Sequence, residues 1–88
     1  MKKQQLWLLY IIETQGSKLY TGITTDVARR FNEHYSDPIK GAKFFRTDKP
    51  KKVLYQEAFC NRSEASKREQ EIKKMSRKQK ILLINSGK

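Results

Sequence analysis

Residues 6–35 read LWLLYIIETQGSKLYTGITTDVARRFNEHY, and the fold turns on how this stretch is divided. Leu6–Glu13 is rich in Leu, Ile, Trp and Tyr and apolar at both alternating sets of positions, as a strand covered on both faces should be. Thr14-Gln15-Gly16 is a turn signal, and Lys18–Gly22 reads as a short second strand. A three-residue loop with glycine at its left-handed third position would pair Glu13 with Ser17. That register sets Tyr10 directly opposite Tyr20 on one sheet face, with Cβ atoms about 4.5–5.5 Å apart. A slip of one residue would send the two tyrosines to opposite faces.

Thr24 or Thr25 is expected to cap the helix that follows, with Asp26 favourable to its positive end. Val27, Phe31 and Tyr35 recur at helical spacing and form its apolar stripe. His34 lies within that stripe, Arg30 flanks it as the i,i+4 neighbour of His34, and Arg29 points the opposite way. Asp37-Pro38 should stop the helix near Ser36.

Downstream, Pro38–Lys52 is a basic connection with Lys40, Lys43, Arg46, Lys49, Lys51 and Lys52 against Asp48 alone. It is long for a loop, so it either carries function or holds a short helix. Phe44 and Phe45 should tack it to the core. Val53–Phe59 reads as a third strand. Asn61 or Ser63 then caps a helix running to about Met75, and a second helix, Ser76–Asn85, contains the buried-looking run Ile81–Ile84. Ala65, Ile72 and Met75 mark the core-facing stripe of the first of these helices, and Glu69 falls inside it. Burying a carboxylate is expensive unless it is paired or binds a metal. Glu69 is therefore a metal-ligating or catalytic group, the partner of an arginine such as Arg30, or an edge residue with its head in water.

The bulk properties narrow the partner. The chain has 88 residues, enough for one domain, and a net charge of +11. A field this strong points to a polyanion, nucleic acid ahead of a membrane surface. The single cysteine, Cys60, read as a small buried or half-buried residue, cannot close an intramolecular disulfide, which favours a reducing compartment and a cytoplasmic protein. The apolar run Leu6–Ile12 behind Lys2-Lys3 is short and lacks the small-residue cleavage site of a secretory leader. No glycine-rich phosphate loop, Ser-His-Asp spacing or Cys/His ligand cluster is present. Tyr10, Tyr20, Phe44 and Phe45 could stack bases, but the aromatic motif of an RNA-recognition domain is absent. Each candidate also has a plainer reading. Strand tyrosines mostly pack, a lone histidine is usually a satisfied structural residue, and a charged connection is usually a solvated face.

Laid out in this way, the residues resemble the GIY-YIG endonuclease superfamily over about Leu6 to Ile84. They look most like its small stand-alone bacterial YhbQ-like members, and are similar to the amino-terminal domain of the excision nuclease UvrC. Leu8-Leu9-Tyr10 stands where the family name has Gly-Ile-Tyr, and Tyr20-Thr21-Gly22 stands at the second motif. The arginine helix is matched by Asp26 through His34. Gly41-Ala42-Lys43, Arg62-Ser63-Glu64-Ala65 through Glu69, Ile72-Lys73-Lys74 and Ser76 through Lys80 look like the same subfamily.

The resemblance implies an α+β fold, a three-stranded antiparallel sheet flanked by helices. It makes Tyr10, Tyr20, Arg30 and His34 the catalytic set and Glu69 the ligand of one Mg²⁺ or Mn²⁺ ion. Asn85 is the candidate for an asparagine that the family carries after that glutamate. The implied reaction is phosphodiester hydrolysis in double-stranded or branched DNA, with room for a protein partner to supply specificity. Gly22, which would admit a close substrate backbone, and the basic side chains of Arg29, Lys40, Lys43 and Arg46 form the expected nucleic-acid surface. The alternatives are a non-catalytic DNA- or RNA-binding module using that surface, and an RNA-directed nuclease.

Overall fold

The computed structural model describes residues 5–36 and 43–86, without the side chain of Arg46. The elements run β1 (Trp7–Thr14), β2 (Leu19–Thr24), α1 (Val27–Ser36), a short 3-10 helix (Lys43–Arg46), β3 (Pro50–Phe59), α2 (Arg62–Lys73) and α3 (Arg77–Ser86). The three strands form one sheet in the order β2-β1-β3, antiparallel at both contacts. This is the expected α+β architecture. No helix among the described residues is long and apolar enough to cross a membrane.

β1 is the central strand, and its two faces seed two cores. Leu9 and Ile11 pack with Ile72 of α2 and Ile84 of α3, while Tyr10 and Ile12 pack with Phe45, Val27 and Phe31. Leu9, Ile11 and Ile12 are fully buried; removing such a side chain from water contributes about 1.5–3 kcal/mol each. The molecule is thus layered, with α1 on one face of the sheet and α2 and α3 on the other.

The hairpin differs from the expected one by one residue on each strand. Thr14 N–H donates to Lys18 O at 2.9 Å, so the loop is Gln15-Gly16-Ser17 and its left-handed residue is Ser17, with φ 64°. A carboxylate from far along the chain fixes this choice. Asp48 accepts from the Thr14 hydroxyl at 2.6 Å and from Gly16 N–H at 2.9 Å. The register becomes Tyr10 opposite Gly22 and Ile12 opposite Tyr20. Because the displacement is two residues, both tyrosines stay on one face, diagonally rather than directly opposed.

α1 is capped by Asp26 rather than Thr24 or Thr25: its Oδ1 accepts from Arg29 N–H at 3.0 Å. Thr24 instead steadies the cap, its hydroxyl accepting from Asp26 N–H at 3.2 Å. The core-facing stripe of α1 is the partly buried Val27 and Phe31 with the buried His34; Tyr35 is exposed, with Lys49 over its ring. α2 is capped by Asn61, whose side chain accepts from Glu64 N–H at 2.9 Å. β3 begins at Pro50, earlier than expected, and its pairing shifts between Ile11 and Ile12. This bulge sends Val53 to the α1 side and both Leu54 and Tyr55 to the α2 side. In α3 only the end of the apolar run is buried: Ile84 is covered, whereas Ile81 and Leu82 are exposed. Cys60 is exposed as well, not buried.

Candidate active site

The site starts with the crossing of Tyr10 over Gly22. Tyr10 is buried, and its ring passes so close to its cross-strand partner that a Cβ built on Gly22 would lie 2.5 Å from the tyrosine oxygen. Glycine at the end of the second motif is therefore required by the protein's own tyrosine. The phenol then meets α1. Its oxygen lies 2.8 Å from Nε2 of His34, and it also interacts with the Arg30 guanidinium. A guanidinium can only donate. The arrangement that satisfies both neighbours has Arg30 donating to the phenol oxygen and the phenol O–H donating to Nε2, leaving the His34 proton on Nδ1.

Around this pair lies an aromatic cluster. Tyr20 approaches Tyr10 at 6.3 Å and His34 at 5.3 Å between ring centroids. The 3-10 helix adds Phe45, buried against His34 at 4.4 Å and Tyr20 at 4.7 Å, and Phe44, which rests on Tyr20 at 5.5 Å and stays partly exposed. The long basic connection thus does hold a short helix, and its two phenylalanines roof the tyrosine pair.

The electrostatics follow from this burial. Burial, with Tyr20 close by, pushes the Tyr10 hydroxyl well above the ordinary phenol range against the opposing charge of Arg30. Burial also raises Tyr20, opposed by the positive charges of Lys73 and Arg30 and reinforced by Glu69. Burial and the adjacent Arg30 pull His34 down to about 4, so the imidazole is neutral at neutral pH. Burial alone would lower Arg30, but its 3.0 Å ion pair with Glu33 and its contact with Tyr10 outweigh that.

Glu69 comes from the other layer. α2 lies against β2, the edge strand carrying Tyr20 and Gly22, and the Glu69 charge is felt by both tyrosines. Its side chain is only 15% exposed and pairs with Lys73 at 3.2 Å. The arginine partner expected for it is not used, since Arg30 is paired with Glu33. On the same side of the sheet Thr21 carries a buried hydroxyl with no hydrogen-bond partner among the described residues.

The described residues hold no cluster of three His, Cys, Asp or Glu that would enclose a metal ion by itself. The donor set does fit an ion that takes one protein carboxylate and completes its shell with waters and substrate phosphate, as Mg²⁺ commonly does. Of the remaining candidates, Arg29 and Lys43 are exposed. Lys40 and the side chain of Arg46 lie outside the described residues, and Asn85 is exposed in the last turn of α3. The residue missed at the sequence level is Asp48, whose grip on the hairpin shows no local signature.

An antiparallel three-stranded sheet lies between two helical layers, with Tyr10, Tyr20 and Arg30 on one side and Glu69 on the helix that covers the other, and the domain is of nuclease type. The chain matches the GIY-YIG catalytic domain over residues 6–81 and belongs to that family. Its relatives are UPF0213 proteins. One from Cupriavidus pinatubonensis is 52% identical over 92% of this chain and 88% of its own length. UPF0213 protein YhbQ of Escherichia coli is 42% identical over 92% of this chain and 79% of its own. The solution NMR structure of UPF0213 protein BH0048 from Bacillus halodurans superposes with a TM-score of 0.58 at 38% identity, covering 91% of this chain and 83% of that one.

Proposed function

We propose that this chain is a divalent-metal-dependent endonuclease or nickase that hydrolyses phosphodiester bonds in DNA, acting in the cytoplasm in repair or recombination. The observation that carries the reading is the meeting of Tyr10, Tyr20, Arg30 and His34 on one side of the sheet, with Glu69 in the electrostatic reach of the two tyrosines from the other. A half-buried carboxylate inside a chain of net charge +11 opposes phosphate binding, so a module that only bound DNA would gain nothing from it.

Glu69 would hold the ion, which supplies Lewis acidity and a more acidic bound water. The remaining roles belong to the chain. Arg30, fixed by Glu33, presents a permanent positive charge to the phosphate as negative charge builds in the transition state. Tyr20 is half-buried, and its oxygen, once deprotonated, takes the proton of the attacking water. Lys73 and Arg30 already favour that phenolate against burial, and a second cation would favour it further. His34 stays neutral and orients Tyr10, and the Tyr10–Arg30 contact holds the guanidinium in place.

The test is cleavage of linear, nicked, flapped and branched DNA, and of RNA, with Mg²⁺ or Mn²⁺. Tyr20→Phe, Arg30→Ala and Glu69→Ala are each expected to lose on the order of 100-fold or more in rate. Binding without cleavage by the wild type would leave a binding module, and equal cleavage by Glu69→Ala would remove the metal-ligand role. Cleavage confined to RNA would overturn the choice of substrate.

A further inference from the structure

Beside Tyr20 the surface opens into a cleft of about 290 Å³ that the reading above does not use. It is bounded by Lys18 and Leu19 at the foot of the hairpin, Phe44 of the 3-10 helix, and Arg77 and Lys80 in the first turns of α3. Two sequence-distant elements, the hairpin and α3, therefore set three cations around one partly exposed aromatic ring supplied by a third. The cleft is built rather than accidental. Arg77 Nη1 donates to Ser17 O at 2.7 Å, tying α3 to the hairpin loop. Phe44 is held on its inner side by Tyr20 at 5.5 Å and by Phe45 at 5.5 Å, while 40% of it remains exposed. Among the described residues no carboxylate lies within ion-pair distance of Lys18, Arg77 or Lys80.

An exposed ring bordered by Arg77, Lys80 and a Lys18 whose charge is also felt by Asp48 combines a stacking face with cationic groups, as a site for a planar base and its phosphates does. Its position matters as much as its chemistry, because Phe44 is in direct contact with Tyr20. We propose that this cleft is the subsite for the nucleotide next to the one being cut. Phe44 stacks on its base, and Lys18, Arg77 and Lys80 hold the flanking phosphates. The inference rests on the nuclease reading and narrows it. A base inside a continuous duplex is stacked on both sides and has no face to offer Phe44. The substrate must therefore present an unpaired nucleotide beside the scissile phosphate, as a flap, a frayed end or a single strand does.

The experiment measures binding without metal, in the Glu69→Gln protein, to a single strand, a flap and a fully paired duplex of one sequence, each with 2-aminopurine at the unpaired position or its paired equivalent. Phe44→Ala should weaken binding of the single strand and the flap about 10-fold, the loss expected of one stacked base, and leave the duplex unchanged. Phe44→Trp should restore both the affinity and the quenching of 2-aminopurine. Lys18→Ala/Lys80→Ala should lower the salt slope for single-strand binding by about 1.4, at ~0.7 per lost phosphate contact.

A Phe44→Ala protein that loses duplex and single strand equally, or loses neither, overturns the subsite. Both variants keep Phe45 in the core, and thermal melting checks that they fold. The two readings fail separately. A protein that cuts DNA with no Phe44-dependent preference remains a nuclease without this subsite. One that shows the preference and cuts nothing keeps the subsite and loses the catalytic role.

Discussion

Replacing Gly22 with alanine tests the geometry on which the site depends. The new methyl would stand 2.5 Å from the Tyr10 oxygen, 2.7 Å from Cζ and 3.2 Å from Cε1, where ordinary contact begins at 3.4 Å. The ring has to retreat by close to an ångström. Tyr10 is 2% exposed, and its hydroxyl is fixed at 2.8 Å from His34, so the retreat strains packing and the hydrogen bond together. Overpacking of a core and a buried pair left badly bonded each cost about 1–3 kcal/mol, and with partial relaxation the sum is about 2–4 kcal/mol. That is a large share of the ~4–13 kcal/mol available to a domain of this size. The melting temperature should fall by about 10–25 °C.

The assay is thermal unfolding of wild type, Gly22→Ala, Tyr10→Phe and the double variant. Tyr10→Phe removes the closest atom, so Gly22→Ala should cost less in that background, and the cycle should show coupling. Gly16→Ala is the internal comparison. Its Cβ would lie 2.9 Å from a carboxylate oxygen of Asp48, the far end of a side chain that can rotate away at the cost of its bonds to the loop, and its effect should be smaller. A Gly22→Ala protein melting within 2–3 °C of wild type, against the ~4–8 °C expected per kcal/mol, or a strictly additive cycle, would refute the reasoning.

His34 makes stability depend on acid. Its folded value of about 4 lies below the ordinary 6.5, so between these values the unfolded chain binds a proton that the folded chain does not. Stability should fall as pH drops from about 6.5 toward 4, by up to about 3 kcal/mol, and melting of His34→Gln should show a flatter slope in that window. Arg68→Ala removes both hydrogen bonds that Arg68 gives Glu57, at 3.0 and 3.1 Å, leaving that half-buried carboxylate with Tyr55. Stability should fall by about 1–3 kcal/mol in denaturant titration, with DNA cleavage by the folded protein unchanged. Asp48→Ala removes the acceptor of Gly16 N–H, and hydrogen exchange at that amide should quicken while exchange in the centre of β1 stays slow.

Much of this architecture is written in short-range patterns. The apolar run of β1 and the cap at Asn61 each act over a few residues, and the elements fall where those signals put them. What misleads is settled over long range. Glycine is the cheapest left-handed residue, yet Ser17 takes that conformation because Asp48, 32 residues beyond Gly16, holds the loop. The weak alternation of β3 reflects a bulge that gives Leu54 and Tyr55 the same face, which no two-residue period can express. The helical stripe of α1 was legible, but whether it ends on His34 or Tyr35 depends on where the sheet lies beneath it. At the site, the convergence of Tyr10, Arg30 and His34 follows from one hairpin and one helix. Pairing Glu69 with an arginine would have meant choosing across layers, whereas Lys73 was one turn away on the same helix.

The division of the candidate site between the two faces of β1 bears on how the protein is made. The tyrosines, Arg30 and His34 leave the ribosome within 25 residues of one another, as the span from Tyr10 to His34 shows. Glu69 emerges only after β3, on a helix whose Ile72 closes the core over Leu9 and Ile11 of β1. A nascent or prematurely terminated chain therefore displays phosphate-attracting residues without their carboxylate. On the reading proposed above such a chain lacks the metal-holding carboxylate together with one half of its core, so cutting waits on the same event that completes the fold.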